Sequence, residues 1–184
     1  KGYERITSII EDSPGILWLG TDDGLVKFNS NSGTFDLIKN EMITATSSNS
    51  IILCLLKDRE GDIWIGTYGV GLQKYDPAAG TFQGYRNNPN VKNSLSHNEV
   101  WSICEDNEGF LWIATGDGLN KFDKKTGQFT VYKHSLNDNN SLSDNFINYV
   151  TMGFSGNILV GTNTGLNLLE RSSGNVKRFD NVYE

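Results

Sequence analysis

Two histidines, two cysteines and a scatter of carboxylates are the side chains of this 184-residue chain with the types for chemistry, and their spacing speaks against most of it. Neither His97 nor His134 has metal-ligand partners at a recognisable spacing, so no metal is expected. No Gly-rich phosphate loop lies between a strand and a helix, and no cofactor is expected either. Asp12, Asp58 and Asp106 stand at equivalent turns rather than as an acid and base flanking one bond, so no catalytic residue is expected. Cys54 and Cys104 sit inside apolar runs in equivalent strands of neighbouring units, which reads as buried free thiols rather than a disulfide. The chemistry that does fit is recognition of a hydroxyl-rich ligand. His97, Asn98 and Trp101 set an aromatic ring beside groups that donate and accept hydrogen bonds. Asn145 and Asn148 hold the matching places one unit later, and Tyr68 lies in a turn one residue longer than its counterparts.

A unit that the chain repeats four times must position these residues. GILWLGTDDGLVKF (15–28) returns as GDIWIGTYGVGLQKY (61–75), as GFLWIATGDGLNKF (109–122) and, worn, as GNILVGTNTGLNLL (156–169). The pairs beginning at Gly24, Gly71, Gly118 and Gly165 recur every 47 residues. A fixed period of that size means one supersecondary unit copied along the chain, each copy covering its neighbour's apolar faces. In the third copy, Val100–Glu105, Phe110–Thr115, Leu119–Phe122 and Gln128–Tyr132 read as four short strands separated by Asp-, Asn- and Gly-bearing turns. The expected fold is therefore all-β, a β-propeller segment of about four blades, each a four-stranded antiparallel meander. Blades are expected at about 1–46, 47–93, 94–140 and 141–184, with Trp18, Trp64 and Trp112 packing between them. In the fourth copy Leu159 replaces Trp and Leu168-Leu169 replaces Lys-Phe, which predicts a poorly packed end.

The bulk numbers exclude two partner classes. Net charge is −6 and the 16 Lys and Arg form no basic face, so nucleic acid is not an expected partner. No stretch approaches the ~20 apolar residues needed to cross a bilayer, so no membrane contact is expected. The start at Lys1-Gly2-Tyr3 reads as a segment of a larger protein. An open arc of blades would expose an apolar sheet face at each end, so self-association is expected, with a two-fold dimer of arcs as one form.

The run I-x-E-D-x-x-G-x-L-W-I-G-T-x-x-G-L-x-K-F, present as Ile9 to Phe28 and Ile103 to Phe122, resembles the two-component regulator propeller repeat. The lead-in Asn93 to Val100, repeated as Asn140 to Ile147, is similar to that family's connection between blades. The resemblance implies the periplasmic sensor of a hybrid two-component regulator that responds to oligosaccharides. It also implies further blades in the parent protein and a histidine kinase outside this chain. Propellers generally bind ligands on the face made by the connections between blades and the turns between second and third strands. Here the connections Lys39–Ser50, Asn87–Asn98 and His134–Asn145 are rich in amides, which suit hydroxyl-rich ligands but are also the ordinary residues of solvated turns. A scaffold for binding another protein is the alternative reading.

Overall fold

The computed structural model describes residues 5–40 and 51–179, so most of the Lys39–Ser50 connection lies outside the described residues. Among the described residues, short runs of β-branched and aromatic residues between polar turns form sixteen strands, grouped in four separate antiparallel sheets whose strands follow chain order. The first sheet holds β1 (Ile6–Ser13), β2 (Ile16–Thr21), β3 (Gly24–Asn29) and β4 (Thr34–Ile38). The second holds β5 (Ile52–Lys57), β6 (Ile63–Thr67), β7 (Leu72–Asp76) and β8 (Thr81–Tyr85). The third holds β9 (Val100–Glu105), β10 (Leu111–Thr115), β11 (Gly118–Asp123) and β12 (Gln128–Tyr132). The fourth holds β13 (Ile147–Met152), β14 (Ile158–Thr162), β15 (Gly165–Leu169) and β16 (Val176–Phe179), with one short 3-10 turn at Phe154–Gly156. The expected four-stranded meander is therefore present in each copy.

The chain divides into two compact units, Lys1–Arg86 with Asn98–Val100, and Asn87–His97 with Trp101–Glu184. In the first unit Trp18, 1% exposed, and Leu25 on one sheet bury against Ile52, Ile63, Ile65 and Tyr75 on the next. In the second, Trp112, Ala114 and Leu119 bury against Val150, Ile158, Val160 and Leu169. The same face of each earlier sheet thus meets the opposite face of the later one. A fully buried side chain of this size contributes about 1.5 to 3 kcal/mol, which is why one indole per unit can hold two sheets together.

The Gly-Leu pairs mark the tightest turn. Gly71 has φ +80°, and a Cβ there would lie 2.3 Å from the Tyr85 carbonyl oxygen, so only glycine fits. Just before it, the extra residue of this turn lets Val70 reach the core while Tyr68 stays 42% exposed.

Candidate functional site

Most of the polar residues that recur are spent on holding each blade together. Asp106 is buried, and its Oδ1 accepts from the backbone N–H of Glu108 (2.9 Å) and Phe110 (3.1 Å) while its Oδ2 accepts from the Trp112 indole (2.9 Å). Asp58 does the same for Glu60, Asp62 and Trp64, with the indole at 2.8 Å. A lysine completes the arrangement across the sheet: Lys27, Lys74 and Lys121 each pair with a Trp on the neighbouring strand, their Nζ atoms 5.5, 5.9 and 5.7 Å from the ring centres. The fourth copy changes the whole set. Gly153 stands in the Asp place, its N–H bonding to the Asn157 carbonyl as that of Asp106 bonds to Phe110, and Leu159 pairs directly with Leu168. With no indole N–H to satisfy, no buried carboxylate is needed.

The electrostatics agree with this structural role. Burial by itself pushes the Asp106 carboxyl up, but the bonds from Trp112, Arg171 and two backbone N–H groups outweigh it and hold the carboxyl below its usual value. Arg171 Nη1 reaches Asp106 Oδ2 at 2.8 Å and ties the last hairpin to the preceding sheet. The Lys57 ammonium on the second sheet, 2.8 Å away, holds Asp12 on the first sheet below the usual carboxylate range. Desolvation pushes the Cys54 and Cys104 thiols up to about 12; both are free, and both are half-buried rather than fully buried as expected. Asp58, Glu60 and Asp62 bring three carboxylate oxygens within 4.8 Å, a donor set with the chemistry for a hard cation. Asp58 is already occupied by its turn and Trp64, however, and Lys74 neutralises Asp62 at 2.5 Å.

The connections between blades use their amides in the same economical way. Ser96 and Asn120 exchange hydrogen bonds (3.0 and 2.8 Å) while Ser96 meets Thr115 at 2.9 Å, and Ser143, Asn167 and Thr162 repeat the arrangement at 2.9 Å throughout. Of the two asparagines expected to face a ligand, Asn145 is a latch through its side chain, and Asn98 takes part through its backbone. The backbone oxygen of Asn98 accepts from Gly71 N–H, and that of Asn145 accepts from Gly118 N–H, while Asn145 Oδ1 also accepts from His134 N–H (2.7 Å).

What remains is set by a β-bulge. The first strand of a blade slips by one residue at Thr7, Leu53 and Asn148, and Trp101 holds the corresponding place in β9. A bulge turns its extra residue away from the ladder, and these positions carry Thr, Leu, Trp and Asn in the four copies. In the second unit the result is a compact cluster. The rings of Trp101 and Phe146 lie 5.6 Å apart, Asn163 N–H bonds to the Phe146 carbonyl, and Asn148 Nδ2 donates to Asn163 Oδ1 at 3.0 Å. Trp101 and Phe146 are half-buried and Asn148 and Asn163 are both exposed, and an aromatic surface therefore adjoins an amide pair that retains unused donors and acceptors. Phe146 and Asn163 did not stand out in the sequence, although their positions flanking the bulge made them findable.

His97 goes elsewhere. It lines a groove of about 640 Å³ with Asn87, Val91, Ser94, Val131 and Lys133, beneath the connection between the second and third blades. Tyr68 belongs to the other unit and is exposed, its backbone N–H bonded to Ile51. Of the six residues expected to bind a ligand, the structure thus joins Trp101 and Asn148 through Phe146 and Asn163, commits the Asn145 side chain and the Asn98 backbone to turns, and places His97 in the groove and Tyr68 in the first unit.

Residues 2–23, 46–69 and 94–117 match the model of the two-component regulator propeller. Among solved structures, the chain is 26% identical to the extracellular domain assigned to a hybrid two-component system of B. thetaiotaomicron, with a TM-score of 0.79 over 97% of this chain and 25% of that one. It is 27% identical to the extracellular domain assigned to a one-component system of the same organism, with a TM-score of 0.74 over 89% of this chain and 21% of that one. The chain therefore spans about a quarter of the length of these domains or less. A virginiamycin B lyase from Staphylococcus aureus, 15% identical with a TM-score of 0.68 over 95% of this chain and 55% of that one, shares the fold alone. No curated protein matches the sequence.

Proposed function

We propose that this chain, which carries the two-component regulator propeller repeat, is a ligand-sensing segment of the extracellular part of a signalling protein. The ligand is an oligosaccharide, the segment works in the periplasm, and the signal controls a histidine kinase elsewhere in the parent chain. The observation that carries the reading is the Trp101–Phe146 surface adjoining the Asn148–Asn163 pair. An aromatic face covers the C–H side of a pyranose while amides exchange bonds with its hydroxyls. The prominent carboxylates Asp58 and Asp106 serve turns and indoles, which supports binding over catalysis. Among the described residues no helix is long and apolar enough to cross a membrane.

A thermal-shift screen against a panel of oligosaccharides tests the proposal. Binding to the native state raises the melting temperature increasingly as ligand concentration exceeds Kd, so a binder declares itself whatever its identity. Stabilisation by a protein partner and by no glycan would instead favour the scaffold reading.

A further inference from the structure

The second unit contains the connection between blades twice, built on one pattern, and a side chain fills one copy that is missing from the other. Val91 N–H bonds to Asn88 O (2.9 Å), Ser94 N–H to Val91 O (3.2 Å) and Asn88 N–H to Ser94 Oγ (3.1 Å). The counterparts are Asp138 N–H to Ser135 O (3.3 Å), Ser141 N–H to Asp138 O (3.1 Å) and Ser135 N–H to Ser141 Oγ (2.8 Å). In that second copy the guanidinium of Arg178, on β16, lies against the turn: Nε donates to Ser141 O at 2.8 Å, and Nη2 to Asp138 O at 2.9 Å and Ser141 Oγ at 2.7 Å. Arg178 pairs with Asn167 across the sheet, and the residue that pairs with Asn120 in the preceding blade is Val131. Where the fourth blade supplies a guanidinium, the third supplies a short branched side chain, and the groove of about 640 Å³ opens beside it.

We propose that this groove binds a guanidinium group brought by a ligand, held by the carbonyl oxygens of Val91 and Ser94 and the Ser94 hydroxyl as Arg178 is held in the neighbouring copy. Three observations support the chemistry. A planar, weakly hydrated guanidinium presents several N–H donors in a fixed fork, which the same turn already satisfies once in this molecule. Val91 and Val131 give the groove apolar surface suited to the faces of such a group. The cation nearest the groove, Lys133, is neutralised by Asp117 at 2.6 Å, and the chain's net charge of −6 favours a cationic ligand. The inference goes beyond the oligosaccharide reading and stands without it, since it uses neither Trp101 nor Asn148.

The test is an amide-resolved NMR titration of the chain with methylguanidinium, with methylammonium and urea as controls. Methylguanidinium is expected to shift the Val91, Ser94 and Leu95 amides saturably, and the controls to leave them in place. Val131→Arg, at a position already exposed, places a guanidinium in the groove and is expected to weaken the response by about tenfold or more. Arg178→Val opens the second copy and is expected to add a saturable shift at Ser141, a readout independent of the first variant. Acetyl-arginine-methylamide separates the sources: a tighter response than methylguanidinium assigns the group to an arginine side chain, and an equal one to a small guanidinium compound. No saturable shift in the unmodified chain, the same shift with urea, or an undiminished response in Val131→Arg would overturn the proposal.

Discussion

Replacing Asp106 by Ala should be the most damaging polar substitution in the second unit. The carboxylate accepts four hydrogen bonds, two from its own turn, one from the buried Trp112 indole and one from Arg171. Orphaning the indole N–H alone costs about 1 to 3 kcal/mol. Removing one partner of a buried ion pair costs about 3 to 5 kcal/mol, but Arg171 is 17% exposed and keeps Glu108 at 3.4 Å, so the lower end or less applies. The terms overlap, and the expected loss is roughly 4 kcal/mol, a large share of a typical domain's stability. Urea denaturation followed by tryptophan fluorescence measures it, with an unchanged m-value showing that the native fold is retained. Asp58→Ala removes the corresponding indole acceptor and should also destabilise its blade, by at least the cost of the orphaned indole. A loss below about 1 kcal/mol for Asp106→Ala would refute the reasoning, because it would mean that water or a neighbour satisfies the indole and the guanidinium equally well.

The same group sets an acid limit. Its folded-state pKa is depressed, so its contribution is present above the unfolded carboxylate value of about 4 and is lost as pH falls through the folded value; Asp106→Asn should flatten the acid side of the stability profile. With thiols pushed up to about 12, Cys54 and Cys104 should resist alkylation at pH 8 in the native chain and react promptly in denaturant, as mass spectrometry would show. The fourth sheet presents Tyr149, Leu166 and Phe179, 62%, 39% and 37% exposed, opposite its buried face, so light scattering at micromolar concentration should report association, and a stable monomer near 20 kDa would count against it.

The 47-residue period made the strands, the turns and the packing role of the tryptophans legible, because each copy tests the reading of the others. The link among Asp, Trp and Lys was in the same spacing. Asp precedes each of Trp64 and Trp112 by six residues, and Gly153, Leu159 and Leu168 replace all three members together in the fourth copy. The site was harder to read. Asn145 looks like a ligand contact in sequence, but a turn that must satisfy its own backbone claims its side-chain oxygen first. His97 lies four residues from Trp101, yet it lines the groove beside Val131 while Trp101 sits in the strand against Phe146. Arg178 acts on a connection 37 residues earlier, and no local pattern announces that.

Calorimetric titration of the unmodified chain and of Asn148→Ala with a stabilising oligosaccharide from the screen tests the central claim most directly. Asn148 is exposed and contributes one side-chain bond, to Asn163, so its loss should leave the fold intact. Saturable binding to the unmodified chain is expected, with an affinity about tenfold lower in the variant, equivalent to about 1.4 kcal/mol. Equal affinity in the two would contradict it.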